Sequence, residues 1–539
     1  MTFVITQNCC KDASCVPVCP VDCIRPTGGA GEFTGTEMLY IDPATCIDCG
    51  ACAEECPVDA IYYEEELPPK LERFLDINAR YFEHTPLTME AKSRGDGRAA
   101  VAAGSLRVAI VGAGPSGCYA TSALSRVGGV EIALFERLPT PFGLVRAGVA
   151  PDHQHTKSVV EIFGPALTSR SVSCHLNVGV GQEISHEELL AHHHAVIYAV
   201  GASQSRELGI PGEHLPGSHA AADFVGWYNG HPDHAQHGFD LSAQRAVIVG
   251  NGNVALDVAR VLLTGPEELR QTDIAEHALD SLSDNMIREV EILARRGPRE
   301  AAYSVGEFLA LGQLPGIDIV IDSDDLEPEP GDDVETALKL EIAREFAQRP
   351  QQPENKRIIF RFNTSPLEVI GETHAEGVRV QWPGGETEVI TARLILRSVG
   401  YRGTAIDGVA FDSTRGVVPN DEGRVLGDDG VPVPGVYVTG WIKRGSRGVI
   451  GTNRSCAEQS VSKLWEDFDA GLLAREIGDE NALNSLLARR VREPVDWQGW
   501  RAIDAAEIQR GQQADRPRVK LVDLADMLAV VASAATKAS

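Results

Sequence analysis

The feature that most constrains this chain is where its cysteines lie: nine of the twelve fall between Cys9 and Cys56, and the others are Cys118, Cys174 and Cys456. Cys46, Cys49, Cys52 and Cys56 form the pattern C-x2-C-x2-C-x3-C-P. Three thiolates on one tight loop can reach three irons of a cubane, while the fourth points away and serves a second cluster. A structural zinc would instead use two separated C-x2-C pairs. The first residues, Met1 to Cys10, carry neither a basic start nor an apolar core. An export signal is therefore not expected, and the cysteines read as metal ligands before disulfides.

The same spacing recurs from Cys9, with Asp12 where the second cysteine would stand: Cys9-x2-Asp12-x2-Cys15-x3-Cys19-Pro20. Removing one thiolate favours loss of that iron. We therefore expect a [3Fe–4S] cluster on Cys9, Cys15 and Cys56, and a [4Fe–4S] cluster on Cys46, Cys49, Cys52 and Cys19. Two alternatives stay open. Asp12 could hold a fourth iron through its carboxylate, and Cys10 could stand in for Cys9 at the expense of the register. Cys10 and Cys23 are expected to be unligated thiols packed beside a cluster.

Composition bounds the rest. A chain of 539 residues suggests three or four domains. With 43% hydrophobic and 23% charged residues it is an ordinary globular protein. A formal charge of −28 argues against nucleic acid, whose phosphates need Lys and Arg. No run approaches the about 18 apolar residues that a membrane span requires, so a cytoplasmic protein is expected. Residues 1–66 carry two basic residues (Lys11, Arg25) against twelve acidic ones, a net charge of −10. We read 1–66 as a ferredoxin-like unit and 67–105 as a linker. Within it, 67–83 reads as helical or irregular, and 84–105 as Gly-, Ala- and charge-rich with no apolar period.

From Leu106 strands alternate with helices, implying mostly parallel sheets covered on both faces. RVAIVGAGPSGCYATSALSRV is a strand, a Gly turn and a helix. Gly112-x-Gly114-x-x-Gly117 follows the strand and opens the helix, whose N-terminus faces a pyrophosphate. Glu136 ends the next strand, nineteen residues after Gly117, where a carboxylate can accept from ribose hydroxyls. The second start, RAVIVGNGNVALDVARVLL, carries Gly250-Asn251-Gly252-Asn253-Val254-Ala255. Its next strand ends in Arg295-Arg296 rather than an acid, which favours a 2′-phosphate and hence NADP(H). FAD then belongs to the first fold. A late segment, Gly440 to Asn453, supplies a turn and a helix start to close over the flavin. His192-His193-His194 has no ligand-spaced partners and reads as a solvated loop.

These residues carry resemblances. CPVDCI (Cys19 to Ile24), MLYIDP (Met38 to Pro43) and CIDCGACAEECPVDAI (Cys46 to Ile61) resemble seven-iron bacterial ferredoxins, with a longer insert around Thr27–Thr36. LPTPFGLVRAGVAPDH (Leu138 to His153), VGNGNVALDVAR (Val249 to Arg260), ARRGP (Ala294 to Pro298), RSVGYRG (Arg397 to Gly403) and GWIKRGSRGVIGTN (Gly440 to Asn453) resemble adrenodoxin-reductase-type ferredoxin–NADP reductases. Together the chain resembles the fused ferredoxin/ferredoxin–NADP reductases of actinobacteria. That resemblance implies an α/β fold: two Rossmann-like dinucleotide-binding domains preceded by a small α+β two-cluster ferredoxin. The FAD domain would be 106–205 plus 400–470, the NADP domain 206–399, and a helical extension 471–539. It places FAD contacts on Ser116, Glu136, Leu144, Gly179, Trp441, Gly448, Val449 and Ile450. NADP contacts fall on Arg206, Asn251, Gly252, Asn253, Val254, Arg295, Arg296, Glu307 and Gly448. His153 lies in the segment that approaches the nicotinamide and is the catalytic candidate. Some relatives carry an acid one helical turn after the position of Glu307; here Ala310 stands there, so the resemblance does not carry over a His–acid pair and His153 would act alone.

The expected reaction passes a hydride from NADPH to FAD, then single electrons to the clusters and on to an external ferredoxin, a cytochrome P450 or a similar acceptor. A monomer is favoured. Attraction between the acidic ferredoxin and Arg444 and Arg447 is expected to aid docking. The alternatives are an electron-input subunit resembling the small chain of glutamate synthase, a disulfide reductase, and an iron–sulfur sensor whose nucleotide folds only bind.

Overall fold

The computed structural model describes residues 2–26, 38–87, 98–323 and 325–538. The Thr27–Thr36 insert and the middle of the 84–105 segment lie outside the described residues.

The N-terminal unit is built from short pieces. Strand Phe3–Ile5 pairs antiparallel with Ile61–Tyr63, and Ile24–Arg25 with Tyr40–Ile41. These pairings bring the two cysteine-bearing stretches together. The sequence assigns 67–105 to a linker, and the structure departs from this at its start. Arg73–His84 is a helix whose buried Phe74, Ile77, Asn78, Tyr81 and Phe82 fall at the helical spacing of one face. Each buried aromatic or aliphatic side chain contributes about 1.5–3 kcal/mol relative to exposure. Asn78 lies inside that apolar stripe because its amide is fully used. Its Oδ1 accepts from Ile5 N (3.3 Å) and Ile41 N (2.9 Å), and its Nδ2 donates to Ile5 O (2.9 Å) and Phe74 O (2.8 Å). The stripe is short and carries a polar residue at its centre, which is why the sequence leaves 67–83 open between helical and irregular.

Two α/β bodies follow. The first has a seven-stranded sheet in which Leu106–Val111 lies between Ala195–Tyr198 and Val130–Glu136, all parallel. Leu106, Val108, Ala109 and Ile110 are fully buried, the continuous apolar run of a strand covered on both faces. Pro432–Val438 returns from late in the chain to pair parallel with Ala195–Tyr198. The second body has a six-stranded, wholly parallel sheet with Arg245–Val249 between Leu394–Arg397 and Glu289–Leu293. The two chain crossings between the bodies pair with each other, Gln204–Ser205 against Tyr401–Arg402.

The C-terminal helices Trp497–Gln513 and Leu524–Ala538 pack on the first body through Trp500, Ile503 and Met527. Glu507, fully buried, is matched by Arg146 (2.9 Å) and Arg518 (3.1 Å). The histidine run is not a solvated loop. His193 is fully buried, with Nδ1 against Leu189 O (2.8 Å), and His194 accepts from Arg107 N (2.9 Å). The strand that follows pulls both rings into the core. No described helix is long and apolar enough to cross a membrane.

Candidate functional site

The iron-site cysteines fall into two groups. Cys19, Cys46, Cys49 and Cys52 line one small cavity, together with Phe3, Ile24 and Ile41. Cys52 is driven up to about 12, first by burial and then by the charges of Cys46, Cys19 and Cys49. Cys9, Cys15 and Cys56 form the other group. Burial pushes Cys9 up to about 11, with Cys56 and Asp12 adding to it. The burial of Cys9 and Cys52 among other thiols calls for a cation at their centre, and a coordinated metal deprotonates thiols outright. The donor set therefore fits iron–sulfur clusters. Cys19 is drawn down to about 5 by a hydrogen bond from Cys23, whose Sγ lies 3.4 Å away. Cys10 is buried among Val58, Ala60 and residues of the first α/β body.

The first Gly loop is shaped by contact and by space. A Cβ on Gly117 would stand 1.9 Å from Gly112 O, so the helix Pro115–Ser125 packs on the strand only with glycine there. Gly114 has nothing within 4 Å, leaving room for a phosphate. Glu136 accepts from Ala113 N (2.9 Å) and Leu138 N (3.1 Å); burial raises its carboxyl, and these bonds oppose the rise. Ser116 Oγ donates to Asn453 Oδ1 at 2.8 Å, tying the Gly loop to the late segment 440–453. Trp441 Nε1 is buried with no hydrogen-bond partner among the described residues, so it awaits an acceptor that the protein does not supply. Leu144 is 41% exposed beside the loop. Gly179 N donates to Glu183 Oε2 (2.7 Å) in the turn after strand Val172–Leu176. Gly448, Val449 and Ile450 immediately precede the helix Thr452–Asp469. A group with ring carbonyls and a pyrophosphate fits these residues.

At the second Gly loop, Gly252 is equally open and caps the helix Asn253–Leu263. Asn253 Oδ1 accepts from Ser304 N at 2.8 Å. Ser304 caps the helix Val305–Leu311, which carries Glu307. Arg295 and Arg296 are exposed just beyond strand Glu289–Leu293. Arg206 sits on the inter-body ribbon, with Nε donating to Tyr401 O (3.2 Å).

His153 does have an acid beside it, contrary to the expectation drawn from Ala310. Glu307 Oε2 lies 3.8 Å from its Nε2. Glu307 lies in the first turn of the helix Val305–Leu311, one turn before Ala310. Arg260 Nη2 is 2.9 Å from the same imidazole nitrogen. Its guanidinium also binds Asp152 (2.7 and 3.1 Å) and Asp257 (2.8 Å) and lies 3.7 Å from Glu307. One buried cation thus gathers three carboxylates and a histidine. Burial would raise Asp152, but Arg260 and His153 outweigh it and hold it below its ordinary value. Glu307 is raised by burial, with His153 and Arg260 working against the rise. Asp152, Asp257 and Arg260 lie inside the family segments, yet their convergence spans 108 residues and no local spacing reveals it.

Arg444 Nη2 donates to Asn453 Oδ1 at 3.1 Å, within the first body. Among the described residues, the acids of 1–66 do meet basic groups of the first body, Asp12 with Arg454 (3.6 Å) and Asp59 with His155 (3.4 Å), while the helix beyond them carries the opposite polarity. Arg80 and Arg73, on the N-terminal side, pair with Glu341 (2.8 Å) and Glu345 (2.7 Å) of the second body. Arg454 of the first body does meet the N-terminal unit, donating to Asp12 O at 2.9 Å.

Comparison with known proteins agrees with this division of labour. Residues 106–296 match the family model for pyridine nucleotide-disulphide oxidoreductases, and residues 39–62 match that for 4Fe-4S binding domains. A probable ferredoxin/ferredoxin–NADP reductase of Mycobacterium leprae is 45% identical over 99% of this chain and 98% of its own length. The NADPH-ferredoxin reductase FprA of Mycobacterium tuberculosis is 42% identical over 78% of this chain and 98% of its length. The structure of M. tuberculosis FprA in complex with NADPH superposes with a TM-score of 0.75 at 41% identity, covering 79% of this chain and 99% of that one. Cys118, Cys174 and Cys456 are buried and unpaired, so the first family model's name does not bring a redox disulfide with it.

Proposed function

Because the chain belongs to the ferredoxin/ferredoxin–NADP reductases, we propose that it oxidises NADPH and delivers the electrons singly, through its own ferredoxin unit, to an external one-electron acceptor. The observation that carries this reading is the joining of two cysteine groups to the body whose late segment presents the unpartnered Trp441 Nε1.

FAD, when bound, accepts a hydride and gives up its electrons one at a time, and each cluster accepts one. The chain's own residues hold, orient and shield. Gly112, Gly114 and Gly117 shape the pyrophosphate loop, and Glu136 receives the ribose. Ser116, Leu144, Gly179, Trp441, Gly448, Val449 and Ile450 line the flavin. Asn251, Gly252, Asn253 and Val254 take the phosphates of NADPH at a helix N-terminus. Arg295, Arg296 and Arg206 attract its 2′-phosphate. Arg260 donates to His153 Nε2 and Glu307 lies beside it, which leaves Nδ1 to carry the ring proton, so His153 positions the nicotinamide with its ring held from the Nε2 side. Cys9, Cys15 and Cys56 hold three irons; Cys19, Cys46, Cys49 and Cys52 hold four. In this division 106–205 with 400–470 binds FAD, 206–399 binds NADPH, and 471–539 braces the FAD side. The acceptor is a free ferredoxin, a P450 or another one-electron protein. The enzyme works as a cytoplasmic monomer.

Anaerobic mixing with NADPH should bleach the flavin band and then the iron–sulfur absorbance, with NADH far slower. Bound flavin that NADPH leaves oxidised would sink the proposal.

A further inference from the structure

Asp12 occupies the place of a missing iron ligand, yet both its carboxylate oxygens are engaged elsewhere. Its Oδ1 accepts from Ser14 N at 2.9 Å. Its Oδ2 accepts from the hydroxyl of Tyr119 at 3.0 Å and lies 3.6 Å from Arg454 Nη1. Tyr119 belongs to the helix that the first Gly loop opens, and Arg454 to the helix that the late segment opens. The side chain is 3% exposed. An ionised carboxylate this deep needs partners, and here the reductase supplies them.

The surrounding backbone is fitted to the same contact. Gly451 N donates to Cys10 O at 2.8 Å. A Cβ on Gly451 would stand 1.9 Å from Lys11 O, so the late segment and the 9–14 loop approach as closely as backbones can. Cys9, Cys56 and Ile450 pack against one shared core, and Ser158 Oγ donates to Pro57 O at 2.7 Å. The other cysteine group is turned outward: Cys49 is exposed and Ile47 is 58% exposed.

We propose that Asp12 is a docking peg rather than an iron ligand. Through Tyr119 and Arg454 it fastens the Cys9/Cys15/Cys56 half of the ferredoxin unit against the flavin-closing segment, and it leaves that half with three irons. The inference rests on the reading of these cysteines as cluster ligands. It makes this half the entry for electrons and the Cys49 half the outlet. Oxidation of one NADPH to NADP+ and a proton releases two electrons, one for each cluster, and each cluster passes its electron on singly.

The test uses the full-length holoenzyme in two measurements. In the first, protein reduced with dithionite is incubated with excess ferrous iron, reoxidised, and examined by low-temperature EPR. The wild type should retain its three-iron signal. Conversion of the wild type to a four-iron form, abolished in Asp12→Asn, would show that Asp12 binds iron and would overturn the proposal. In the second, stopped-flow spectroscopy follows Tyr119→Phe, which removes one charge-assisted hydrogen bond and little else. Flavin bleaching by NADPH should keep its rate, while cluster reduction should slow by roughly tenfold, the size of one such bond. Arg454→Gln should behave alike and guards against a local packing effect in Tyr119→Phe. Unchanged cluster reduction in both variants would remove the peg. Failure of NADPH to bleach the wild-type flavin would count against the proposed function instead, and the iron-uptake result would still stand on its own.

Discussion

The two Gly loops have the same plan and different roofs. Both follow a buried parallel strand, both cap a helix, and Gly114 and Gly252 are both open for a phosphate. The first is covered: Ser116 is bonded to Asn453, Gly440 lies against Ser116, and the next residue, Trp441, has its N–H unspent. The second faces outward, with Arg295 and Arg296 exposed at its rim. The difference teaches that a phosphate loop recognises a dinucleotide but does not decide how long it stays. Residence is set by what the rest of the chain lays on top, and here only one loop is lidded.

The comparison can be broken most severely at Gly117. Gly117→Val drives side-chain atoms into Gly112 O, and overpacking against backbone costs more than the 1–3 kcal/mol typical of a core. We expect protein without flavin, or no soluble protein, read by the visible spectrum of purified material. Gly114→Ala and Gly252→Ala meet no protein atom and should fold. Gly114→Ala should lose FAD, and Gly252→Ala should keep FAD while weakening NADPH. If both lost flavin equally, the loops would not be distinct.

Next in size is Arg295→Glu with Arg296→Glu. Each charge-assisted bond to a phosphate is worth about 1.5–3 kcal/mol, so KM for NADPH should rise by roughly a hundredfold or more. KM for NADH should change little, and steady-state kinetics with both nucleotides checks the ratio.

A smaller effect concerns the covered side alone. Burial lowers His193 to about 4 from 6.5, so the folded state binds this proton less readily than the unfolded chain. The associated stability is present above the unfolded value near 6.5 and is lost as pH falls through 4. Chemical denaturation should show the first body weakening by about 3 kcal/mol across that window, and His193→Asn should flatten the slope. The smallest effect is expected at Arg80 and Glu341, a bidentate pair with side chains 22% and 26% exposed. A double-mutant cycle on stability should return a coupling of about 0.5–1 kcal/mol.

What the sequence makes legible are features whose ligands or turns lie within a few residues. The cysteine spacing, both Gly loops and the arginines after the second strand are of this kind, because each is a local device with a fixed offset. Pairings that fold over long distances are hidden. Asp12 meets Tyr119 across 107 residues and Arg260 meets Asp152 across 108. Ala310 misleads for a related reason: it shows which residue is absent from one turn, but not that Glu307 arrives from the turn before. Arg444 and Arg447 are basic and near the flavin segment, but sequence cannot say which way a side chain faces. The helix Arg73–His84 is obscured by Asn78, three of whose four hydrogen bonds, those to Ile5 and Ile41, exist only once the strands beside it have formed.

Gln204–Ser205 against Tyr401–Arg402 is a narrow spine between the two large bodies, which lie like covers on either side of it, and they also hold each other directly: Arg260 binds Asp152, Lys157 binds Asp273, and Lys520 of the C-terminal segment reaches Asp273 as well. The N-terminal unit grips both covers, the first through Asp12 and Cys10 and the second through Arg80 and Tyr40. This unit is thus a further fastening added to the ribbon and the direct ion pairs, and it leaves the rim carrying Arg295 and Arg296 exposed.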